Sequence, residues 1–264
     1  MTRAEKNGGS SGLLAWLAAA LVGGVALYLF WLPEVDWLRK VNPKTTAYID
    51  RYVEQTRAAG RKPRVRMSWR SLDRIAPDLR HAVLISEDDM FYVHEGVDWD
   101  SLHHAMEYNL KKKRFARGGS TITQQVARNL FLSASKNPLR KVKEMLIARK
   151  LERRLGKRRI LEIYLNIAEW GDGVYGAEAA CQSYYGKSAA EVGRDEAVAL
   201  AAALPSPRRW NPSRPARPWL VKRRQTILER MRKAGYLPPE EQELARGPEL
   251  LPSAEAQPGQ SAPR

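Results

Sequence analysis

The chain has 264 residues, a formal net charge of +16 and a sequence pI near 10.1, with a single cysteine. Cys181 alone excludes an internal disulfide framework, and the length leaves room for one domain of ordinary size beside an anchor and tails. The charge draws the surface to polyanions, which leaves nucleic acid, an anionic bilayer or a phosphorylated ligand as partners.

Residues 1–11 form a short tail that carries Arg3 and Lys6. Residues 12–32 hold no charged side chain, and about 21 residues rising roughly 1.5 Å each span a hydrocarbon core of about 30 Å. The small-residue run Ala18–Ala20 lies inside the apolar stretch rather than after it, so the segment reads as an uncleaved transmembrane anchor. Arg39, Lys40 and Lys44 follow it as Arg3 and Lys6 precede it, so the positive-inside count sets no orientation. Residues 33–70 are charged and lack a sustained apolar period, which reads as a stalk with short helical pieces. Its Tyr48, Tyr52, Val53 and Trp69 have either the membrane or the domain to lie against.

Helix signals dominate the main domain, residues 71–246. Pro77 suits a first helical turn leading into Leu79–Ser86, and Asp98 or Asp100 can cap a helix with Trp99, Leu102, Met106 and Leu110 on one side. From Thr121, a helical period puts Thr121, Gln125 and Arg128 on one face and Ile122, Val126 and Leu130 on another. Asn137-Pro138 is a cap and first-turn pair, with Leu139, Val142, Met145, Leu146 and Leu155 inward and Gly156 as the stop. Ile160, Leu161, Tyr164, Leu165 and Ala168 make the next stripe. Asp195–Leu204 is Ala-rich and stops at Pro205, and Trp219–Met231 is a further amphipathic helix. No alternating strand stands out, so the fold is mainly α. Residues 247–264, rich in Pro, Ala, Ser and Gln, read as a disordered tail.

Two blocks hold the chemistry. Glu87 follows the apolar run Ala82–Ile85 and precedes Asp88 and Asp89, so desolvation and like charge both push its pKa upward. About two dozen residues on, Gly118–Asn129 begins a polar, cation-bearing helix. A carboxylate cluster beside such a helix points to chemistry on a sugar phosphate. His94, His103 and His104 make a poor metal set, since the adjacent pair points to different sides of a helix. Ser133-Ala-Ser-Lys136 matches the SxxK pattern of transpeptidases, but no KTG follows, and it reads as a loop.

Four further stretches complete an ordered series: Arg140–Glu144 (RKVKE), Lys157–Asn166 (KRRILEIYLN), Tyr175–Gly186 (YGAEAACQSYYG) and Ala201–Pro212, after EDDMFYVHEGVD and GGSTITQQVARNLFL. Over residues 83–212 the chain resembles the peptidoglycan glycosyltransferases, glycosyltransferase family 51, in their monofunctional biosynthetic form. The resemblance implies a lysozyme-like α-helical domain with a small membrane-proximal lobe. It implies an inverting transfer of the undecaprenyl-diphosphate-linked glycan onto lipid II on the outer face of the cytoplasmic membrane, without transpeptidase activity. Glu87 is then the base, with Glu144 the second essential glutamate. Asp88, Phe91 and His94 belong to the donor–acceptor cleft, although His94 equally suits a structural role at the Gly96 turn. Thr121, Gln125 and Arg128 face the ligand, Arg128 standing where the family has lysine, and Arg140 and Lys141 bind diphosphate. Glu144 orders these two cations or meets the diphosphate through a divalent cation, Mg or Mn, the one cofactor left open. Tyr164, Asn166, Gly171 and Gly176 are expected to shape packing. The expected partners are lipid II, nascent glycan, the bilayer and proteins of cell-wall synthesis or division; nucleic acid is not among them.

Overall fold

A computed structural model describes residues 8–112, 118–133, 135, 137–214 and 217–237. The charged residues of the N-terminal tail, Ala134 and Lys136 of the SxxK run, and the tail from 247 lie outside the described residues.

Helix α1 (Gly8–Phe30) contains an 18-residue window, Leu13–Phe30, of mean hydropathy 2.2 with nothing buried against the protein. Its length and composition suit a membrane crossing. The segment expected to be a stalk is instead folded onto the domain. Val35 and Leu38, flanking a 3-10 turn at Asp36–Arg39, are wholly buried in the main core. Helix α2 (Ala47–Ala58) is capped by Thr46, whose hydroxyl accepts the Ile49 N–H at 3.1 Å. Tyr52 on α2 meets Tyr175 edge-on at 6.1 Å, and Trp69 packs against the core. Each short piece supplies only one or two apolar side chains, so no period betrays their burial.

Strand β1 (Arg66–Met67) precedes α3 (Pro77–Glu87), α4 (Trp99–Lys112), α5 (Ile122–Phe131), α6 (Pro138–Leu155) and α7 (Lys157–Ile167). Strands β2 (Glu169–Gly171) and β3 (Val174–Tyr175), then α8 (Ala177–Tyr185), α9 (Arg194–Ala203) and α10 (Pro218–Lys233), complete the order. The sheet, which the sequence did not signal, runs β1-β3-β2, with β1 parallel and β2 antiparallel to β3. Two or three residues per strand are too few to display alternation. It exists because Gly173, at φ +69°, brings its carbonyl to the Arg66 N–H at 2.8 Å.

The core is helical. Ala-rich α9 buries Ala197, Val198, Leu200, Ala201 and Ala202 against α3, and small side chains let the two axes approach closely. Helix α10 closes over both. On the other side α5 lies between α6 and α7, burying Ile122, Val126 and Leu130 as the helical period predicts. Two apolar faces depart from expectation. Helix α6 turns Glu144, Ile147, Ala148 and Leu151 inward, leaving Val142 exposed and Leu139, Met145, Leu146 and Leu155 half-buried. The inward face includes a glutamate, which a search for apolar stripes discards. Helix α4 is anchored through Ala105, near which Gly119 makes a close approach, while Trp99, Met106 and Leu110 stay exposed.

Candidate active site

Glu87 is the last residue of α3, where the negative end of the helix dipole opposes a carboxylate charge. It opens on a cleft of about 780 Å³ whose walls include Ser86, Glu87, Asp98, His104, Ser120, Gln125, Arg128, Arg223 and Arg230. Burial raises the Glu87 pKa, and the Gln125 amide, the Arg223 guanidinium, Ser86 and Arg128 each moderate that rise. A carboxylate so raised holds a proton more readily than an exposed glutamate, which makes it a candidate proton acceptor.

The orientation of Glu87 is fixed from two sides. Gln125 donates Nε2–H to Oε2 at 3.1 Å, while its own Oε1 accepts from the Tyr164 hydroxyl at 3.3 Å. Tyr164 is deeply buried, and burial beside Glu87 raises its pKa well above the usual tyrosine range, so it stays a donor. On the other side Arg223 Nη2 lies 3.8 Å from Oε1 and donates to Ser86 Oγ at 2.9 Å. Gln125 thus lines the cleft, with its amide engaged by Glu87.

The residues expected around Glu87 divide between cleft and scaffold. Asp88 is nearly buried, and its carboxylate accepts the Ile122 N–H at 2.8 Å and His94 Nε2–H at 3.0 Å. His94 Nδ1 in turn accepts the Gly96 N–H at 3.1 Å, the structural alternative the Gly96 turn suggests. Thr121 caps α5 in a capping box with Gln124, and its hydroxyl donates to the Gly96 carbonyl at 2.7 Å. These three residues fix the loop to the start of α5. Phe91 is fully buried beneath Lys157, whose ammonium lies 4.6 Å from the ring centroid. Its expected place in the cleft is therefore corrected: the loop after α3 turns this ring into the core as the local anchor.

Arg128 lines the cleft, and its buried Nε–H has no protein partner. Arg140 and Lys141 do not line it. Both are bound to the fully buried carboxylate of Glu144, at 2.7 Å and 2.5 Å, and Lys141 reaches the cleft wall through Ser120 Oγ at 2.8 Å. Each Glu144 oxygen is held by one of the two cations in a fully buried position, an arrangement that orders the pair and turns the carboxylate away from solvent. No group of three or more His, Cys, Asp or Glu suited to a metal occurs among the described residues.

Sequence reasoning missed Arg223 and Arg230. They stand seven residues apart on α10 and share a face, which is the one signal that marks them. Arg230 pairs with Asp89, so α10 brings two guanidiniums to the acidic block.

Asn166 is a packing residue, and Gly171 lies against the Tyr184 hydroxyl. Asn166, fully buried, joins the Arg70 N–H at 2.7 Å and the Arg70 carbonyl at 2.8 Å, and Tyr184 donates to the Trp170 carbonyl at 2.9 Å.

The ordered blocks lie inside a span that matches known proteins. Residues 54–232 match the family model described as transglycosylase. A biosynthetic peptidoglycan transglycosylase of Nitrosospira multiformis is 45% identical over 211 residues, covering 80% of this chain and 91% of the relative. Proteins of the same name from Janthinobacterium sp. and Chromobacterium violaceum are 43% and 42% identical, each across 84% of this chain and 96% and 97% of their own length. With its glutamate base candidate and cation-lined cleft inside the matched span, this chain belongs to the transglycosylase family.

Proposed function

We propose that this enzyme is a membrane-anchored peptidoglycan glycosyltransferase that polymerises lipid II. Helix α1 tethers it, with the domain on the extracytoplasmic face and the cleft near the membrane, where a polyprenyl diphosphate is presented. The observation that carries the reading is Glu87, a desolvated carboxylate in a cleft that Arg128 also lines.

In this reading the 4-hydroxyl of an acceptor lipid II gives its proton to Glu87 while its oxygen attacks the donor anomeric carbon. The bond from that carbon to the diphosphate oxygen breaks with its electron pair, inverting the centre, and undecaprenyl diphosphate departs. Diphosphate leaves without prior protonation, so the protein's second task is to stabilise negative charge, which pre-oriented cations do well. Arg128 in the cleft, and Lys141 through Ser120, are placed for this; Arg140 and Glu144 hold Lys141 in position. A glycan-cleaving relative would need a proton donor for its leaving group rather than these cations.

Purified full-length enzyme in detergent is given labelled lipid II and, separately, purified sacculi. High-molecular-weight glycan from the first and no soluble muropeptides from the second is the expected result. Muropeptides without polymer would replace synthesis by lysis.

A further inference from the structure

We infer that Arg223 of α10 is the positioning residue that aims Glu87 and keeps it competent as a base. The inference rests on the assignment of Glu87 as the proton acceptor made above. It concerns a helix that the ordered sequence blocks, which end at Pro212, do not reach.

The geometry is specific. Glu87 Oε2 is held by Gln125, and Oε1 is turned toward Arg223 Nη2 at 3.8 Å. The same Nη2 donates to Ser86 Oγ at 2.9 Å, and Ser86 Oγ lies 3.3 Å from the Ala201 carbonyl and 3.5 Å from Glu87 Oε1. One guanidinium therefore joins three helices, α3, α9 and α10, at the base itself. Its Nε–H is buried with no protein partner, so the fork is not fully spent on that junction. At 3.8 Å the guanidinium attracts the carboxylate yet leaves Oε1 free to receive a proton.

The charged groups facing Glu87 form an asymmetric set. Its own segment brings Asp88 and Asp89, the following loop Asp98, and α4 His104. Helix α5 brings Arg128, α7 the neutral Tyr164 hydroxyl, and α10 Arg223 and Arg230. Asp88 is engaged by His94 and the α5 backbone, and Asp89 is paired to Arg230. Arg223 is thus, with Arg128, a cation that opposes the effect of burial on Glu87, and it is the one turned toward Oε1. Without it the base would hold its proton to higher pH, and fewer molecules would be able to act at a given pH.

The test compares Arg223→Gln, Arg223→Lys and Ser86→Ala in the full chain in detergent micelles. The first readout does not need activity: the carboxyl carbon of Glu87 in 13C-glutamate-labelled protein, identified by its loss in Glu87→Gln, is titrated by NMR. Arg223→Gln is expected to move that titration upward by about one pH unit, since a nearby opposite charge commonly shifts a pKa by one or more units. Arg223→Lys should fall between, and Ser86→Ala, which cuts the junction but leaves the charge, should move it least. The second readout is the acid limb of kcat/KM with lipid II, which should shift in parallel, with kcat falling more than KM rises. An unmoved Glu87 titration in folded Arg223→Gln overturns the inference, as does a shift in Ser86→Ala equal to that in Arg223→Gln. Absence of polymer from the wild-type chain would instead defeat the functional reading, and the NMR result would still decide whether Arg223 governs Glu87.

Discussion

Asp88 Oδ2 accepts the Ile122 backbone N–H at 2.8 Å, so the residue beside Glu87 anchors the helix that carries Gln125 and Arg128. The two arms of the cleft are registered by this one carboxylate, which also receives His94 Nε2–H. Asp88→Ala leaves two buried donors without an acceptor, at about 1–3 kcal/mol each. Thermal unfolding should therefore begin several degrees lower, and polymer yield should drop even at temperatures where the variant is folded. A variant that melts with the wild type would show that α5 is positioned by other contacts.

The pH profile follows from the raised pKa of Glu87, whose first cause is burial. In the proposed role Glu87 acts deprotonated, so kcat/KM should fall as pH drops through its folded pKa, and that limb should lie above the ordinary glutamate range. The stability sign is opposite. A carboxyl whose pKa is raised by folding stabilises the fold below its unfolded pKa, and this contribution is lost as pH rises through the folded value. Glu87→Gln should thus abolish polymerisation and be at least as stable as wild type at neutral pH. Wild-type polymer yield from this variant would remove Glu87 from its role.

Glu144 is fully buried between partly exposed Arg140 and Lys141. Stripping both cations strands a charge in the core, whereas removing the carboxylate leaves two cations able to reach water. The double change Arg140→Met with Lys141→Met should cost about 3–5 kcal/mol, the scale for an uncompensated buried charge, and more than Glu144→Gln. Chemical denaturation of the three proteins orders the costs. The reverse order would mean that the triad is built around its cations.

How much of this was legible depended on whether the signal was local. The mainly α character of the transglycosylase domain was legible from stripes such as Ile122, Val126 and Leu130 and from caps such as Asn137, and its lysozyme-like form from the family resemblance. Glu87 and Arg128 stood out because burial, charge and helix phase coincide within a few residues. Arg223 did not, since its importance comes from α10 crossing α3 and α9 far along the chain. Phe91 misled for a related reason: it sits inside a chemically rich block, and only the path of the loop decides that its ring enters the core. Val35 and Leu38 were hidden because single apolar residues on irregular segments carry no period.

Arg128 stands where the family resemblance places lysine, and its Nε–H has no protein partner. A guanidinium grips phosphate through a planar fork, an ammonium as a point charge. Arg128→Lys should keep most activity on lipid II, while Arg128→Met should lower kcat by about 10²–10³, the range for removing one pre-oriented stabilising donor. Equal activity of Met and Lys variants would take position 128 out of diphosphate stabilisation.

Gly176 sets the last prediction, because it separates a tolerated positive φ from one enforced by packing. Its φ is +84°, and an added Cβ would lie 2.6 Å from the Asn166 carbonyl oxygen. Gly60, at φ +68°, has nothing within 4 Å of such a Cβ. Alanine is strained at either positive φ, by about 1–3 kcal/mol for a sparsely populated backbone, but Gly176→Ala must also displace the backbone of Asn166. That residue's side chain clasps Arg70, and its helix α7 carries Tyr164, which orients Gln125 against Glu87. Gly176→Ala should therefore lose clearly more stability than Gly60→Ala in matched denaturation curves and also lower the rate of polymer formation. Gly60→Ala should leave that rate unchanged. Similar losses in the two variants would mean that the fold around Asn166 yields without strain, and that the chain of contacts from Gly176 to the base is slack.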